Sequence, residues 1–294
     1  MAPAGQQPTP IGLVTDSLAW LPADVAGAHG ITVVPLHVTI GEAHFTEGVD
    51  LTNQEFFRRM RESAVLPKTS QPAAGEFLDA YRAVAERAGS IISIHATGKL
   101  SGTVRSAESA AGMLRSERPD FRIDVVDTGT IATSQGITAI RAAEAIAGGA
   151  THEQALQLVR ILPGKTRLLF VLETLEYLQK GGRIGRARAL LGSLLQIRPI
   201  LTVEEGEVVP KDRARTRAKA MERCLALMEE DARGRPLAHL GILHADAPQS
   251  AAELKAQAQA RFDVPPDRLL EVEIGPVIGT YVGPGAFGVS WYCD

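Results

Sequence analysis

The spacing of apolar and polar positions divides the first half of the chain into short strands and helices. Ile11 to Val14 is an apolar run closed by Thr15-Asp16-Ser17, which reads as a strand followed by a turn. Ile31 to Ile40 is β-branched and predicts a second strand, with His44 to Glu47 returning as a hairpin. Thr52 to Arg61 carries Phe56, Phe57 and Met60 at helical spacing. Ser90 to His95 and Phe121 to Asp127 are short apolar runs suited to buried parallel strands. Ala73 to Arg87, Val104 to Leu114 and Thr133 to Ala147 predict helices between and after them. Strands separated by helices of this length argue for a parallel α/β sheet.

The pattern changes near Pro163-Gly164. Leu168 to Leu172, Ile200 to Val209, Leu237 to His244, Leu269 to Ile274 and Phe287 to Tyr292 read as strands, and Glu205-Gly206 is a hairpin turn within the second. Leu175 to Lys180, Ala187 to Leu195, Ala214 to Glu230 and Ser250 to Phe262 read as helices. The chain therefore divides into a polar, Pro-rich, disordered tail (1–10), an α/β unit (11–163) and a second α/β unit (164–294).

Composition narrows the function. Hydrophobic residues make up 45% and charged residues 22%, an ordinary globular balance. A net charge of −3 carries no nucleic-acid signature. No apolar run reaches the ~20 residues of a transmembrane helix, and the start lacks the basic and apolar regions of a signal peptide. Two cysteines, Cys224 and Cys293, build no disulfide framework and fit a reducing cytoplasm. The charge that exists is uneven. Residues 180–223 hold eleven Lys or Arg against five Asp or Glu, among them Arg213, Arg215, Arg217 and Lys219 near a helix start. That stretch is either a solvated face or a docking surface for an acidic partner or anionic membrane.

Most familiar catalytic motifs are absent. There is no GxGxxG after the first strand, no GxxxxGK[ST] loop, no HExxH or Cys/His cluster, and no GxSxG elbow. No cofactor is implied. Two hydroxyl-rich segments stand out instead, Lys68-Thr69-Ser70-Gln71-Pro72 and Lys99-Leu100-Ser101-Gly102-Thr103, each ahead of a predicted helix. They are either ordinary caps or, brought together, an anion site made of hydroxyls and helix-start N–H groups. In a third segment of different character, Gly275 to Ala286, six of twelve residues are Gly or Pro, which predicts close backbone approach at a strand end.

These segments carry a resemblance. Val14-Thr15-Asp16-Ser17, Val33-Val34-Pro35-Leu36, the two hydroxyl segments, Thr174-Leu175-Glu176-Tyr177-Leu178, Gly181-Gly182-Arg183-Ile184 and the Gly-Pro-rich end occur in the order seen in the DegV family of bacterial fatty-acid-binding proteins. The chain resembles that family over nearly everything after Thr9. It departs from the pattern at Tyr281, where the family has His before its Gly-Pro-Gly stretch.

The resemblance implies a two-domain fold with a long-chain fatty acid, such as palmitate, between the domains. It also implies a carboxylate held by Thr69, Ser101 and Gly102, with Tyr281 in the family's His position beside the head group. It brings Thr69 and Ser101 together, which periodicity does not. Burying a sixteen-carbon chain would yield ~0.8 kcal/mol per methylene, or roughly 11 kcal/mol gross. Leu190, Leu191, Leu194, Leu195 and Ile197 are candidates for the slot and equally suit an ordinary core. Some family members present the bound carboxylate to a separate ATP-dependent fatty acid kinase. On that reading the chain is a carrier rather than an enzyme, and Arg213, Arg215 and Arg217 dock the kinase. Two rival readings stay open. One is a phosphotransferase or hydrolase with Ser101 as nucleophile and His95 as base. The other is a regulatory module that binds through the basic stretch.

Overall fold

A computed structural model describes residues 10–63, 65–191 and 197–293. Residues 1–9 of the expected tail, and Leu194 and Leu195, lie outside the described residues. The chain opens with β1 (Ile11–Asp16), a 3-10 turn at Ser17–Ala19, α1 (Ala23–Ala28) and β2 (Ile31–Val34). The short strands β3 (His37–Ile40) and β4 (Ala43–Thr46) precede α2 (Asn53–Glu62). Then come β5 (Lys68–Ser70), α3 (Ala74–Ala85), β6 (Ser90–His95), α4 (Thr103–Glu117), β7 (Arg122–Asp127), α5 (Thr133–Ala147) and α6 (His152–Ile161). The remainder is β8 (Arg167–Val171), α7 (Glu176–Lys180), β9 (Arg198–Glu204), β10 (Glu207–Ala214), α8 (Arg217–Ala232), β11 (Leu237–His244), α9 (Pro248–Arg261), β12 (Leu269–Glu273), α10 (Pro276–Val282) and β13 (Phe287–Cys293).

Four strands form a parallel sheet in the order β2-β1-β6-β7. Every residue of β6 is buried, as a central strand covered on both faces must be. Side-chain alternation splits β1 between two cores. Val14 joins Phe77, Tyr81 and Leu114 of α3 and α4, whereas Leu13 joins Ala139, Leu156 and Val159 of α5 and α6. Six strands form a mixed sheet, β10-β9-β8-β13-β11-β12, in which only the β11–β12 pair is parallel. Its outer face packs on α8 and α9 through Met221, Leu225 and Leu254. Helix α5 packs against both sheets, which explains why ten of its residues are buried. Thr133 at its start hydrogen-bonds Ser290 of β13 at 2.5 Å.

Two expectations fail for local physical reasons. The strand foreseen over Ile31 to Ile40 breaks at Pro35-Leu36, sending β2 to the parallel sheet and β3 to a separate three-stranded sheet, β4-β3-β5. Pro35 has no N–H for a ladder, and the Leu36 N–H goes to Ser17 Oγ at 3.0 Å. The Gly-Pro-rich segment contains a helix, α10. Pro276 occupies its first position and Gly283, at φ 72°, follows its end. The close approach foreseen there is found at Gly279, where a Cβ would lie 2.9 Å from the Phe56 ring. Helix α6 had no counterpart among the expected elements. The Glu205-Gly206 turn closes the β9–β10 hairpin as expected, with both residues at positive φ.

Gly12 packs β1 onto α3, and a Cβ there would meet Val84 Cγ1 at 2.2 Å and Ala88 Cβ at 3.3 Å. Gly12→Ala is therefore expected to cost ~1–3 kcal/mol by overpacking. Urea unfolding reads this as a lower midpoint, and an unchanged midpoint would show that α3 moves away freely.

Candidate functional site

Four separate elements converge on one cavity. Thr69 arrives on β5, which pairs with β3 so that Thr69 faces Val38. Ser101 and Gly102 lie between β6 and α4, Tyr281 lies on α10, and Arg183 follows α7. All five border a cavity with about 100 Å3 of room for water-molecule centres. The remaining wall is mostly apolar and includes Leu18, Leu36, Leu168, Leu172, Ile278 and Val282. The alternation of β8 decides its share. Leu168, Phe170 and Leu172 border the cavity, while Leu169 and Val171 point into the opposite core.

The polar groups are held close together. Thr69 Oγ1 lies 2.5 Å from the Tyr281 hydroxyl. Ser101 Oγ lies 2.7 Å from Thr103 Oγ1 and accepts the Thr103 N–H at 3.3 Å. The Ser101 N–H donates to the Thr97 carbonyl at 3.2 Å, so it does not face the cavity as a spare donor. The Gly102 N–H has no hydrogen-bond partner among the described residues and lies at the start of α4, where the helix dipole favours negative charge. A Cβ on Gly102 would meet the Gln71 amide at 2.9 Å, so glycine lets the two hydroxyl segments touch. The Tyr281 ring lies against Gly181, where a Cβ would come within 2.4 Å of it. The Arg183 guanidinium lies 5.0 Å from the centre of the same ring and donates to the carbonyls of Leu100 (3.3 Å) and Gly181 (2.8 Å).

Thus Thr69, Ser101, Gly102 and Tyr281 border one cavity, although the first hydroxyl segment does not cap the helix that follows it. Thr69 and Ser70 belong to a strand and cap nothing. Ala73 takes the capping position ahead of α3, and its N–H donates to the Glu76 carboxylate at 2.7 Å. Arg183 and Gln71 had no assigned role. In the sequence Arg183 stood only within the basic stretch and the resembling segment Gly181-Gly182-Arg183-Ile184, of which Gly182 turns the chain at φ 73°. The slot candidates fare less well. Leu190 and Leu191 pack on the main core, Ile197 borders a surface groove, and none of the three lines the cavity.

The basic trio divides. Arg213 lies one residue before the end of β10 and Arg215 follows the strand, both exposed, bordering a surface groove with Lys219 and Glu222. Arg217, still partly exposed, pairs with Glu173 and donates to Ser250 Oγ at 2.6 Å. The change from strand to helix between Ala214 and Arg217 separates its side chain from the other two.

His95 is remote from Ser101 in its bonding. It is fully buried, with Nδ1 2.7 Å from Asp16 Oδ2 and Nε2 2.6 Å from Ser93 Oγ. Tyr81 extends this network at 2.9 Å from Ser93. Burial pushes the Tyr81 phenol well above its ordinary range. Glu47 is the other buried acid. Its Oε1 accepts the Val277 N–H at 2.9 Å and its Oε2 lies 2.5 Å from Ser17 Oγ. Burial pushes Glu47 up to about 7, against the lowering effect of those two hydrogen bonds, and the nearby Asp16 charge adds to the rise. Among the described residues there is no group of acids, cysteines and histidines fit to hold a metal, and no helix long and apolar enough to cross a membrane.

Comparison with known proteins places this geometry. The model of a family described as "Uncharacterised protein, DegV family" matches residues 10–294. A DegV domain-containing protein of Streptomyces coelicolor is 37% identical over 281 residues, 95% of this chain and 97% of that protein. A solved DegV family protein from Thermus thermophilus, described by its fatty acid binding, superposes with a TM-score of 0.90 at 37% identity, covering 97% of this chain and 100% of that one. DegV of Bacillus subtilis, solved as a fatty acid binding protein, superposes with a TM-score of 0.85 at 33% identity, covering 97% and 100%.

Glu47 generates a prediction about stability. It holds its proton more tightly in the folded chain, at about 7, than at its ordinary 4.5. The folded state therefore binds more protons between those values, and stability falls as pH rises from 4.5 to about 7. The full effect is about 3 kcal/mol. Glu47→Gln should flatten this slope in urea unfolding series. An equal slope in the variant would assign it to other groups.

Proposed function

Because the chain belongs to the DegV family, we propose that it binds one long-chain fatty acid in the apolar cavity, with the carboxylate at the Thr69–Ser101–Tyr281 cluster. The observation that carries this reading is the convergence of Thr69, Ser101, Gly102 and Tyr281 on a single, otherwise apolar cavity. The fatty acid binding of the Thermus thermophilus and Bacillus subtilis relatives supports it. On this reading the ligand lies between an N-terminal unit, 11–163, and a C-terminal unit, 164–294. Neither Cys224 nor Cys293 forms a disulfide, which suits a cytoplasmic protein.

The two ends of the ligand need different physics. Burial of the acyl chain supplies most of the free energy, at ~0.8 kcal/mol per methylene. The head group needs enough donors to replace water. The hydroxyls of Thr69, Ser101 and Tyr281 and the Gly102 N–H can supply them, with Arg183 adding a positive charge nearby. The protein then acts as a carrier. A carboxylate oxygen left unblocked attacks the terminal phosphorus of ATP held by a separate kinase, and the bond to the departing ADP breaks, leaving an acyl phosphate. ATP and magnesium belong to that partner. Arg213 and Arg215, exposed beside a groove, are the docking charges, and Arg217 is a structural residue paired with Glu173. Ser101 serves binding rather than nucleophilic attack, since both nitrogens of His95 are engaged elsewhere.

Native mass spectrometry of gently purified protein should show one bound fatty acid. An apo mass, together with no saturable palmitate binding, would overturn the reading. Ser101→Ala and Thr69→Ala should each weaken binding by ~1.5–3 kcal/mol, roughly ten- to a hundredfold in Kd. Tyr281→Phe should weaken it and Tyr281→His should retain it. Unchanged affinity in the Thr69/Ser101 double variant would move the carboxylate elsewhere. Reversing the charge of Arg213 and Arg215 should slow kinase-dependent phosphorylation most at low salt, with fatty acid affinity unchanged. Normal rates at every salt concentration would return both arginines to a solvated face.

A further inference from the structure

We propose that Glu47 is a positioning residue of the ligand site that couples binding of the fatty acid anion to uptake of a proton. The proposal rests on the fatty-acid reading above and adds a regulatory group outside the cavity wall. Glu47 follows β4 and is tied to the protein through both carboxyl oxygens and its backbone. Its N–H donates to the Leu36 carbonyl at 2.9 Å. Oε2 meets Ser17 Oγ at 2.5 Å, and that hydroxyl also accepts the Leu36 N–H at 3.0 Å. Oε1 accepts the Val277 N–H at 2.9 Å, in the first turn of α10. The fit is close, because a Cβ on Gly275 would fall 2.5 Å from Oε1. Glu47 thus anchors the start of the helix that carries Val277, Ile278 and Val282 to the cavity wall and Tyr281 to Thr69.

The contacts survive a change of charge. Ionised, the carboxylate accepts from both Val277 N–H and Ser17 O–H. Neutral, one oxygen still accepts from Val277 and the other donates its proton to Ser17. Protonation therefore alters the charge beneath α10 and leaves its anchoring intact. Burial already places the group near neutrality, at about 7.

The charges around Glu47 fix the direction. From β1, Asp16 bears on it and favours the neutral form. His37 of β3 is turned to Glu76 at 2.9 Å, Asp50 takes the Thr46 N–H at 2.6 Å, and Glu273 of β12 meets the Asn53 side chain at 3.3 Å. Helix α10 contributes no charged side chain, and its titratable group is Tyr281. A ligand carboxylate at the Tyr281 hydroxyl adds a second negative charge on the same helix, Tyr281 lying about one turn along α10 from the Val277 that Glu47 holds. Like Asp16, it raises the proton affinity of Glu47. Linkage is reciprocal, so the fatty acid binds more tightly when Glu47 is neutral, and affinity falls as pH rises through neutrality.

Titration calorimetry of delipidated protein with laurate, in two buffers of different ionisation enthalpy, tests this. The ligand's own carboxyl stays ionised from pH 6 to pH 8. Net proton uptake near pH 7 is expected, with affinity on the order of fivefold or more weaker at pH 8 than at pH 6. Glu47→Gln, which keeps an acceptor for Val277 and a donor for Ser17, should bind laurate without proton uptake and with a flat pH profile. Ser17→Ala removes a contact that favours the ionised form and should move the midpoint to higher pH. Its profile tests the proposal even if Glu47→Gln fails to fold. Saturable binding with no uptake in the native protein, or equal uptake in Glu47→Gln, would overturn the coupling alone. No saturable binding of laurate or of palmitate at any pH would overturn the fatty-acid reading and the coupling with it.

Discussion

A buried carboxylate at the end of β1 organises both halves of the molecule. Asp16 is fully buried, and an unsatisfied charge there would be prohibitive. Its partners therefore have to be in place. The Leu18 N–H at 3.0 Å sets the 3-10 turn, His95 at 2.7 Å ties in β6, and the Gln135 amide at 3.2 Å ties in α5. The turn it sets delivers Leu18 and Trp20 to the cavity wall. The next residue, Ser17, faces the other way and engages Glu47, which holds the first turn of α10. Two consecutive side chains thus fix the parallel sheet and the helix that carries Tyr281.

The cavity follows from that arrangement. Helix α5 packs against both sheets, and the space beside it is bounded by alternate residues of β8 and by α10. Its polar groups come from places that tolerate exposed donors: a short edge strand, a helix start, and a glycine-rich turn. Glycines at 102 and 181 allow Gln71 and Tyr281 to press directly against the backbone. The site is thereby built by close packing between segments far apart in sequence. Family members described by their fatty acid binding share this architecture at TM-scores of 0.85–0.90.

The basic stretch illustrates how geometry redistributes charge. Eleven cations in 180–223 read as one feature along the chain. In three dimensions Arg183 reaches the cavity, Arg198 and Arg217 pair with Glu173, Arg223 pairs with Asp212 and Glu230, and Arg213 and Arg215 stay at the surface. Their partners, rather than their spacing along the chain, decide where each charge lies.

The amino-acid sequence by itself determined the regular elements wherever one periodicity dominates. β6, α5 and β11 lie at the foreseen residues, and the Glu205-Gly206 turn closes its hairpin, because local alternation and positive-φ residues suffice for such features. It also supplied Thr69, Ser101, Gly102 and Tyr281, through ordered segments that resemble a known family. Tertiary structure decided the rest. Pro35 ended β2, but only the Ser17 hydroxyl decided where the Leu36 N–H would go. Helix α10 forms from a Gly-Pro-rich segment because Glu47 and the α2 aromatics hold it, which intrinsic propensity does not foretell. Arg183 could be counted as a charge, but its place over Tyr281 depends on a turn at Gly182 and on a ring delivered by α10, nearly a hundred residues later. Such contacts join positions that no local pattern links, so only the folded chain specifies them.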